Sequence, residues 1–131
     1  MAAGETRVRT TKRTQFVEIT DKARAAVRGA GVQEAVCTVF VPHTTAGVTI
    51  NENADPAVVR DMLAGLERLV PARGNYEHRE GNSDAHIKAS LMGSSVRIPV
   101  VNGSLVLGTW QGIYFCEFDG PRSRRVIIEV A

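Results

Sequence analysis

The chain has 131 residues, of which 44% are hydrophobic and 23% are charged, and its net charge at pH 7 is +2. This length and composition favour one folded domain over residues 1–131 and exclude a wholly disordered chain. The small charge argues against nucleic-acid binding, and the longest apolar runs are too short to cross a membrane.

The first third of the chain predicts strands on either side of one short helix. Residues 6–19 are polar with β-branched side chains at intervals, which is typical of one or two edge strands. A Thr-Asp pair can cap a helix over residues 22–29, and Gly31 is a natural stop for it. Residues 34–41 are apolar enough to form a central strand.

The middle of the chain predicts a strand, a helix and a polar loop. Residues 46–50 are typical of a second short strand. Asp55 is a good N-cap, and Pro56 follows it at the first helical position, where proline is favoured. Apolar side chains recur at helical spacing from there to Pro71, so one face of this helix is expected to contact a core. Residues 73–84 are predicted to form a polar loop.

The last third of the chain predicts a short helix and several antiparallel strands. Asp84 is expected to cap a helix that runs to about Met92, with Gly93 as its stop. The Asn102-Gly103 pair is a typical two-residue hairpin turn. Strands are predicted at residues 96–101, 105–108, 113–118 and 126–130. The predicted fold class is α+β, a compact domain of antiparallel β-sheets with about three helices.

The two cysteines favour a reducing compartment. Cys37 and Cys116 both lie in apolar, strand-like runs, so two buried thiols are expected rather than a disulfide framework. The N-terminus lacks the apolar core of a signal peptide. A cytoplasmic location without a membrane partner is therefore expected.

The three histidines, His43, His78 and His86, each lie in a polar cluster rather than on an apolar face. Imidazole is suited both to proton transfer near neutral pH and to metal ligation. Three convergent histidines can hold Zn²⁺ with an open position for water, although their spacing here is not a standard zinc motif. For His43, a purely structural role in a hydrogen-bonded turn stays open as well.

Several other polar positions suit anion or metal binding. Glu52 can act as a general base or as an oxygen ligand of Mg²⁺, whereas Asp55 has the simpler role of a helix cap. Ser94 and Ser95 follow a short helix and can offer hydroxyls and amides to a phosphate. Arginines near both chain ends can bind anions or can belong to a solvated strand face. Glycines on both sides of Trp110 indicate either close approach of a ligand or a β-bulge.

Three long blocks of the sequence resemble the signature of one protein family. They read HTTAG followed by TINENADP within residues 43–56, EGNSDAHIKASLMGSS at residues 80–95, and LGTWQGIY followed by CEF within residues 107–118. In this order they resemble the YjbQ family, which is also called the secondary thiamine-phosphate synthase family. The resemblance covers nearly the whole chain.

The resemblance implies a homotrimer with a polar site near the subunit boundaries. It also implies an activity that joins a hydroxymethylpyrimidine diphosphate to a thiazole phosphate and releases diphosphate. Under this interpretation His43, His78, His86 and Glu52 are catalytic, and the three histidines can hold a divalent metal, Zn²⁺ or Mg²⁺. The expected residues that bind the small phosphorylated substrate are Asn51, Asp84, Ser94, Ser95, Trp110, Gln111, Arg122 and Arg125.

Two alternative functions stay open at this point. The same three histidines can activate water in a zinc-dependent hydrolase. The basic clusters can instead belong to a non-catalytic protein that holds a phosphorylated metabolite. An enzyme would lose turnover when one histidine is replaced, whereas a binding protein would show only a modest change in affinity.

Overall fold

Eight strands and three helices form over residues 2–131, the part of the chain that the computed structural model describes, with side chains described from residue 4 onward. The strands are β1 (Ala2–Arg9), β2 (Gln15–Glu18), β3 (Ala35–Phe40), β4 (Ala46–Glu52), β5 (Ser95–Val101), β6 (Ser104–Leu105), β7 (Gln111–Glu117) and β8 (Ser123–Val130). The helices are α1 (Thr20–Ala30), α2 (Pro56–Leu69) and α3 (Ser83–Met92).

The strands form two antiparallel sheets. The larger sheet has the order β1-β8-β3-β5-β6, and the smaller sheet has the order β2-β7-β4. β3 is an inner strand, as its apolar sequence predicts, and the polar segment over residues 6–19 supplies one edge strand to each sheet. The predicted α+β class with three helices is confirmed. Within residues 2–131, no helix is long and apolar enough to span a membrane.

The main hydrophobic core is shared by both sheets and by α1. Its fully buried side chains include Val39, Val48, Phe115 and Val126, which come from four different strands. Alternate residues of β8 over Val126–Val130 enter this core, because successive side chains of a strand point to opposite faces. Side chains of β8 and of the smaller sheet therefore meet in one core.

A second, smaller core lies on the other face of β7. Tyr114, Cys116 and Phe118 form a cluster there with Leu66 of α2 and Ala89 of α3. Both cysteines are free and buried, as predicted. Burial raises the pKa of the Cys116 thiol well above its usual range, so this thiol stays protonated near neutral pH and has a structural role.

Three of the predicted turns and caps are confirmed, whereas the predicted Thr-Asp cap of α1 is wrong, because the helix already begins at Thr20 and has no side-chain cap. Gly31 ends α1 at φ 65°, in the left-handed region that glycine adopts without strain. The Asp55 carboxylate accepts a 2.9 Å hydrogen bond from the N–H of Ala57 and caps α2. Asn102 and Gly103 have φ values of 53° and 74°, as the hairpin turn between β5 and β6 requires.

The predicted capping role of Asp84 is wrong. α3 begins at Ser83, with Asn82 at the N-cap position and without a side-chain cap. The fully buried Asp84 carboxylate accepts hydrogen bonds from Arg13, at 2.9 and 3.1 Å, and from Lys88, at 2.9 Å. A buried charge needs such partners, so the carboxylate points into the protein rather than back to the helix terminus.

Candidate functional site

A cavity of about 770 Å³ lies where the loops after β3 and β7 meet the start of α3 and the loop before it. Five of the side chains that the sequence singles out line this cavity, namely His43, His78, His86, Ser94 and Arg122. The structure therefore brings the three histidines to one place, together with a guanidinium group and a hydroxyl. The cavity is open to solvent on one side and has the size of a small-molecule site.

His43 is held by the backbone of the neighbouring strand. Its Nε2 atom accepts a 2.9 Å hydrogen bond from the N–H of Arg125 on β8. An imidazole nitrogen that accepts a hydrogen bond carries no proton, so the neutral ring has its proton on Nδ1. His43 thus offers an Nδ1–H donor and has its Nε2 lone pair already engaged.

The pKa of His43 lies below its usual value of 6.5. Burial is the main cause, because it disfavours the charged imidazolium, and the nearby Arg124 guanidinium lowers the pKa further. His43 is therefore neutral at physiological pH, which agrees with its acceptor role towards Arg125.

His86 is brought to the cavity by close contact between α3 and β4. The backbone N–H of Val48 donates to the carbonyl of Gly93, at 3.1 Å, just after the helix ends. A Cβ atom at Gly47 would lie 2.6 Å from the Gly93 oxygen and 3.1 Å from the Met92 Cβ. Only glycine at position 47 allows this approach, and the approach sets the position of the helix that carries His86.

His78 lies on the loop before α3, opposite His86. The two imidazole rings meet edge to face, with centroids 5.5 Å apart and an interplanar angle of 88°. The His78 Nε2 atom is 3.8 Å from a carboxylate oxygen of Glu80, and its side chain is 45% exposed. His78 is therefore the most solvent-accessible of the three imidazoles.

A buried ion pair forms the floor of the cavity. Arg124 lines the cavity and donates to both carboxylate oxygens of Glu117 and to the Thr45 hydroxyl. Burial alone would raise the pKa of Glu117, but hydrogen bonds from Arg124 and from the Thr10 hydroxyl outweigh it and hold that pKa below its usual value. The Arg124 charge is therefore largely balanced within the protein.

The Arg122 guanidinium is the more available cation of the cavity. It donates to the backbone oxygen of Asp119, at 2.8 Å, and to the carboxylate Oδ2 of the same residue, at 3.1 Å. The Asn82 carboxamide donates to the same carboxylate oxygen at 2.9 Å. Arg122 is half-exposed, so its remaining N–H groups can reach a bound anion.

The predicted site residues did not include Asn82, Asp119 and Arg124, all of which line the cavity, although Arg124 is one of the arginines near the C-terminus that were considered for anion binding. For Arg124 there was a usable signal, because it shares the inward face of β8 with Val126 and the alternating apolar residues after it. Asn82 and Asp119 lie in loops, where no periodic pattern indicates which way a side chain points.

The remaining predicted site residues lie elsewhere. The Arg125 side chain binds the Glu5 carboxylate at 2.6 Å, and only its backbone faces His43. Ser95 does not line the cavity, although Ser94 does. Asp84 is enclosed by its ion pairs; burial would raise its pKa, but the bonds from Arg13 and Lys88 hold that pKa below the usual value.

Four predicted residues lie at the opposite end of the smaller sheet. Glu52 is paired with Gln111 at the far end of β4, next to Asn51 and to Trp110, which is 63% exposed. A strand of this length spans about 20 Å, so within one chain this second cluster is separate from the histidine cavity.

The donor set of the cavity suits zinc better than magnesium, because imidazole is a common zinc ligand and Mg²⁺ prefers oxygen. Two imidazoles bound to one Zn²⁺ at about 2.1 Å have ring centres roughly 5 Å apart, which the pair of His78 and His86 approaches. The Nε2 lone pair of His43 is engaged with Arg125. Among residues 2–131, no group of three or more His, Cys, Asp or Glu side chains is already arranged to hold a metal ion.

Comparisons with known proteins match nearly the whole chain to the same family. The family model described as "UPF0047 protein YjbQ-like" matches residues 4–131. A UPF0047 protein of Methanocaldococcus jannaschii is 49% identical over 123 residues, which cover 94% of this chain and 89% of that protein. The UPF0047 protein YugU of Bacillus subtilis is 48% identical over 124 residues, which cover 94% of each chain.

Solved structures agree with this assignment. An uncharacterized conserved protein of the YjbQ/UPF0047 family from Clostridium acetobutylicum has a TM-score of 0.96 and 56% identity, covering 97% of this chain and 98% of that one. A hypothetical protein from Aeropyrum pernix K1 has the same TM-score with 38% identity, covering 100% of this chain and 98% of that one. The chain belongs to the YjbQ/UPF0047 family.

Proposed function

We propose that this protein is an enzyme that acts on a small phosphorylated heteroaromatic substrate in the cavity around His43, His78 and His86. The observation that supports this proposal is the convergence of three imidazoles, the Arg122 guanidinium and the Ser94 hydroxyl on one cavity of about 770 Å³. Polar groups that converge on a concave site are typical of small-molecule binding.

The proposed reaction is the one that the family resemblance implies, the formation of thiamine phosphate. The thiazole nitrogen attacks the methylene carbon of the pyrimidine substrate, the carbon–oxygen bond breaks, and its electron pair leaves with diphosphate. Arg122 stabilises the charge that develops on the departing diphosphate. His78 or His86 donates a proton to it, and the Nδ1–H of His43 donates a hydrogen bond.

A homotrimer would explain why Glu52 and Trp110 lie far from the cavity in one chain. An interface between the cavity end of one copy and the far end of the next would place the two clusters together. Such head-to-tail interfaces form closed rings when the rotation between copies allows it. The exposed Trp110 supports this arrangement. Sedimentation analysis tests it, with Trp110→Ala expected to shift the protein towards smaller species.

A zinc-dependent hydrolase is the second candidate, and the spacing of the His78 and His86 rings favours it. In that case these two histidines would hold the ion, and the bond from Arg125 would keep His43 outside the coordination sphere. Bound zinc would supply an activated water for hydrolysis. Metal analysis of the purified protein tests this candidate; absence of metal together with no response to added Zn²⁺ or Mg²⁺ would exclude it.

One assay separates the candidates. Wild-type protein is incubated with hydroxymethylpyrimidine diphosphate and thiazole phosphate together, and then with each compound alone. Thiamine phosphate and diphosphate in equal amounts, formed only from the pair, support the synthase. Release of phosphate from one compound alone supports the hydrolase. Binding without any product would contradict both enzymes and leave a non-catalytic binding protein.

A further inference from the structure

One nitrogen of the Arg124 guanidinium keeps its donors free. The Nε atom of Arg124 donates to one carboxylate oxygen of Glu117, at 2.8 Å. Its Nη2 atom donates to the other oxygen of that carboxylate and, at 2.9 Å, to the Thr45 hydroxyl. A guanidinium also carries N–H donors on Nη1. Among residues 4–131, no acceptor lies within hydrogen-bond distance of Nη1.

This free Nη1 group meets the cavity. Within residues 4–131, Asn82 Oδ1 is the one side-chain polar atom that is both enclosed and unpaired, so the unpaired Nη1 of Arg124 retains accessible surface. The Arg124 side chain is only 5% exposed, and it lines the cavity around the three histidines. The Nη1 donors are therefore the part of this buried side chain that a ligand in the cavity can reach.

Glu117 holds the Arg124 guanidinium in one orientation. The fully buried carboxylate binds the Nε and Nη2 edge as a fork, which fixes the plane of the guanidinium. It also accepts hydrogen bonds from the Thr10 hydroxyl, at 2.7 Å, and from the backbone N–H groups of Phe118 and Asp119, each at 3.1 Å. Because its own position is fixed by these bonds, Nη1 needs no rearrangement before it meets a ligand.

The pair of Arg124 and Glu117 presents its positive end towards His43. Burial is the main cause of the lowered pKa of His43, and of the two charges, Arg124 lowers that pKa more than Glu117 raises it. The wall of the cavity beside His43 therefore has a net positive potential, although the ion pair as a whole is neutral.

Arg122 differs from Arg124 in its exposure to solvent. The Arg122 side chain is 54% exposed, whereas that of Arg124 is 5% exposed. Salt screens exposed charges strongly and buried charges much less. The contributions of the two arginines to anion binding are therefore expected to respond differently to ionic strength.

We propose that Arg124 is a second anion-binding residue of the cavity, with Nη1 donating to a phosphoryl oxygen of the ligand and Glu117 acting as the positioning residue. This rests on the proposed function and adds a residue to the proposed site. Arg122 attracts the anion from solvent, and Arg124 retains it when salt screens Arg122.

NMR tests this without any change to the protein, with inorganic diphosphate as the probe. The titration is carried out in about 0.5 M NaCl, where the Debye length is roughly 4 Å. The Nε–H signal of Arg124 is the reporter, because its bond to the buried Glu117 protects it from exchange. We expect this signal to shift in proportion to the occupancy measured by calorimetry. Saturation of the protein with an unmoved Arg124 signal would overturn this inference and leave the proposed function standing.

The variant Arg124→Lys keeps a positive charge beside Glu117 and removes the separate Nη1 donors. In high salt it is expected to bind diphosphate about 10-fold or more weakly than wild type, because a hydrogen bond to a charged group is lost. Arg24→Lys, at an exposed ion pair on α1, is the matched control and should stay within about twofold of wild type. If Arg124→Lys does not fold, the NMR titration of wild type decides.

The salt dependence separates this inference from the proposed function. Arg122→Gln should weaken diphosphate binding in about 0.01 M NaCl, where the Debye length is about 30 Å, and should have a smaller effect in high salt. Wild-type affinity of a folded Arg124→Lys variant in high salt would overturn the role of Arg124 alone, as would wild-type protein that binds diphosphate only in low salt. Failure of wild-type protein to bind diphosphate in low salt would overturn the proposed function as well.

Discussion

The backbone N–H of Arg125 donates a 2.9 Å hydrogen bond to the Nε2 atom of His43 and thereby fixes the neutral form of that ring. This bond links the start of β8 to the loop after β3. It also distinguishes His43 from His78 and His86, since its second nitrogen is already occupied. His43 can donate a hydrogen bond only through Nδ1, and the other two rings are the candidates for proton transfer or metal ligation.

The first prediction concerns pH. The pKa of His43 in the folded protein lies below 6.5, its value in the unfolded chain. Between these two pKa values, the unfolded chain binds more protons than the folded one. Stability contributed by neutral His43 is complete above pH 6.5 and is lost as pH falls through this window. NMR titration should give a pKa below 6.5 for His43. As the pH is lowered, the melting temperature of His43→Gln should fall less than that of wild type. A His43 pKa at or above 6.5 would contradict this account.

The second prediction separates two neighbouring arginines. Arg122 lines the cavity, whereas the Arg125 side chain is bound to Glu5 and contributes only its backbone to the site. Arg122→Gln should raise KM for a phosphorylated substrate about 10-fold or more, because a charged hydrogen bond is lost. Arg125→Gln is the matched control and should leave KM within about twofold. Similar effects of both changes would show that general charge, not the Arg122 position, governs binding.

The third prediction concerns the contact between α3 and β4. Gly47→Ala places a methyl group 2.6 Å from the Gly93 oxygen, so the helix must shift. We expect a loss of about 1–3 kcal/mol in the free energy of unfolding and a lower kcat, since His86 moves with the helix. Gly29→Ala in α1 is the control, with open space around its new methyl group, and should stabilise by about 0.5–1 kcal/mol. Urea unfolding measures the free energy of unfolding of both variants. A wild-type value for Gly47→Ala would contradict the close contact between α3 and β4.

The fourth prediction concerns the buried carboxylate that anchors α3. Asp84→Asn leaves Arg13 and Lys88 without their shared anion, and removing one member of a buried ion pair costs about 3–5 kcal/mol. Asp21→Asn removes the exposed pair with Arg24, at 3.3 Å, and should leave the melting temperature unchanged. Equal melting temperatures for the two variants would mean that the buried network contributes little.

Local signals in the sequence predicted most of the fold. Asp55 with Pro56 determined the start of α2, Gly31 the end of α1, and Asn102 with Gly103 the hairpin turn. Each of these depends on a few neighbouring residues, so the pattern alone is sufficient. Asp84 failed as a predicted cap because its partners are Arg13, 71 positions away, and the buried Lys88. Long-range ion pairs leave no periodic trace in a sequence.

The candidate site was predictable in part. The polar surroundings of the histidines indicated function, and all three line the cavity. Their convergence depends on Gly47, which sets the distance between α3 and β4, and the sequence alone does not specify which backbone approaches it. The sequence alone also does not specify the direction of β4 in the fold. That direction separates Glu52 and Trp110 from His43.

The central claim is that the three histidines form a catalytic site, and turnover of alanine variants tests it most directly. Thiamine phosphate formation is measured for wild type and for His43→Ala, His78→Ala and His86→Ala. Leu91→Ala, an exposed position on α3 outside the cavity lining, is the control. We predict that each histidine variant keeps a melting temperature near that of wild type and loses turnover by about 100-fold or more, while the control is unaffected. Wild-type turnover in the histidine variants would contradict the account.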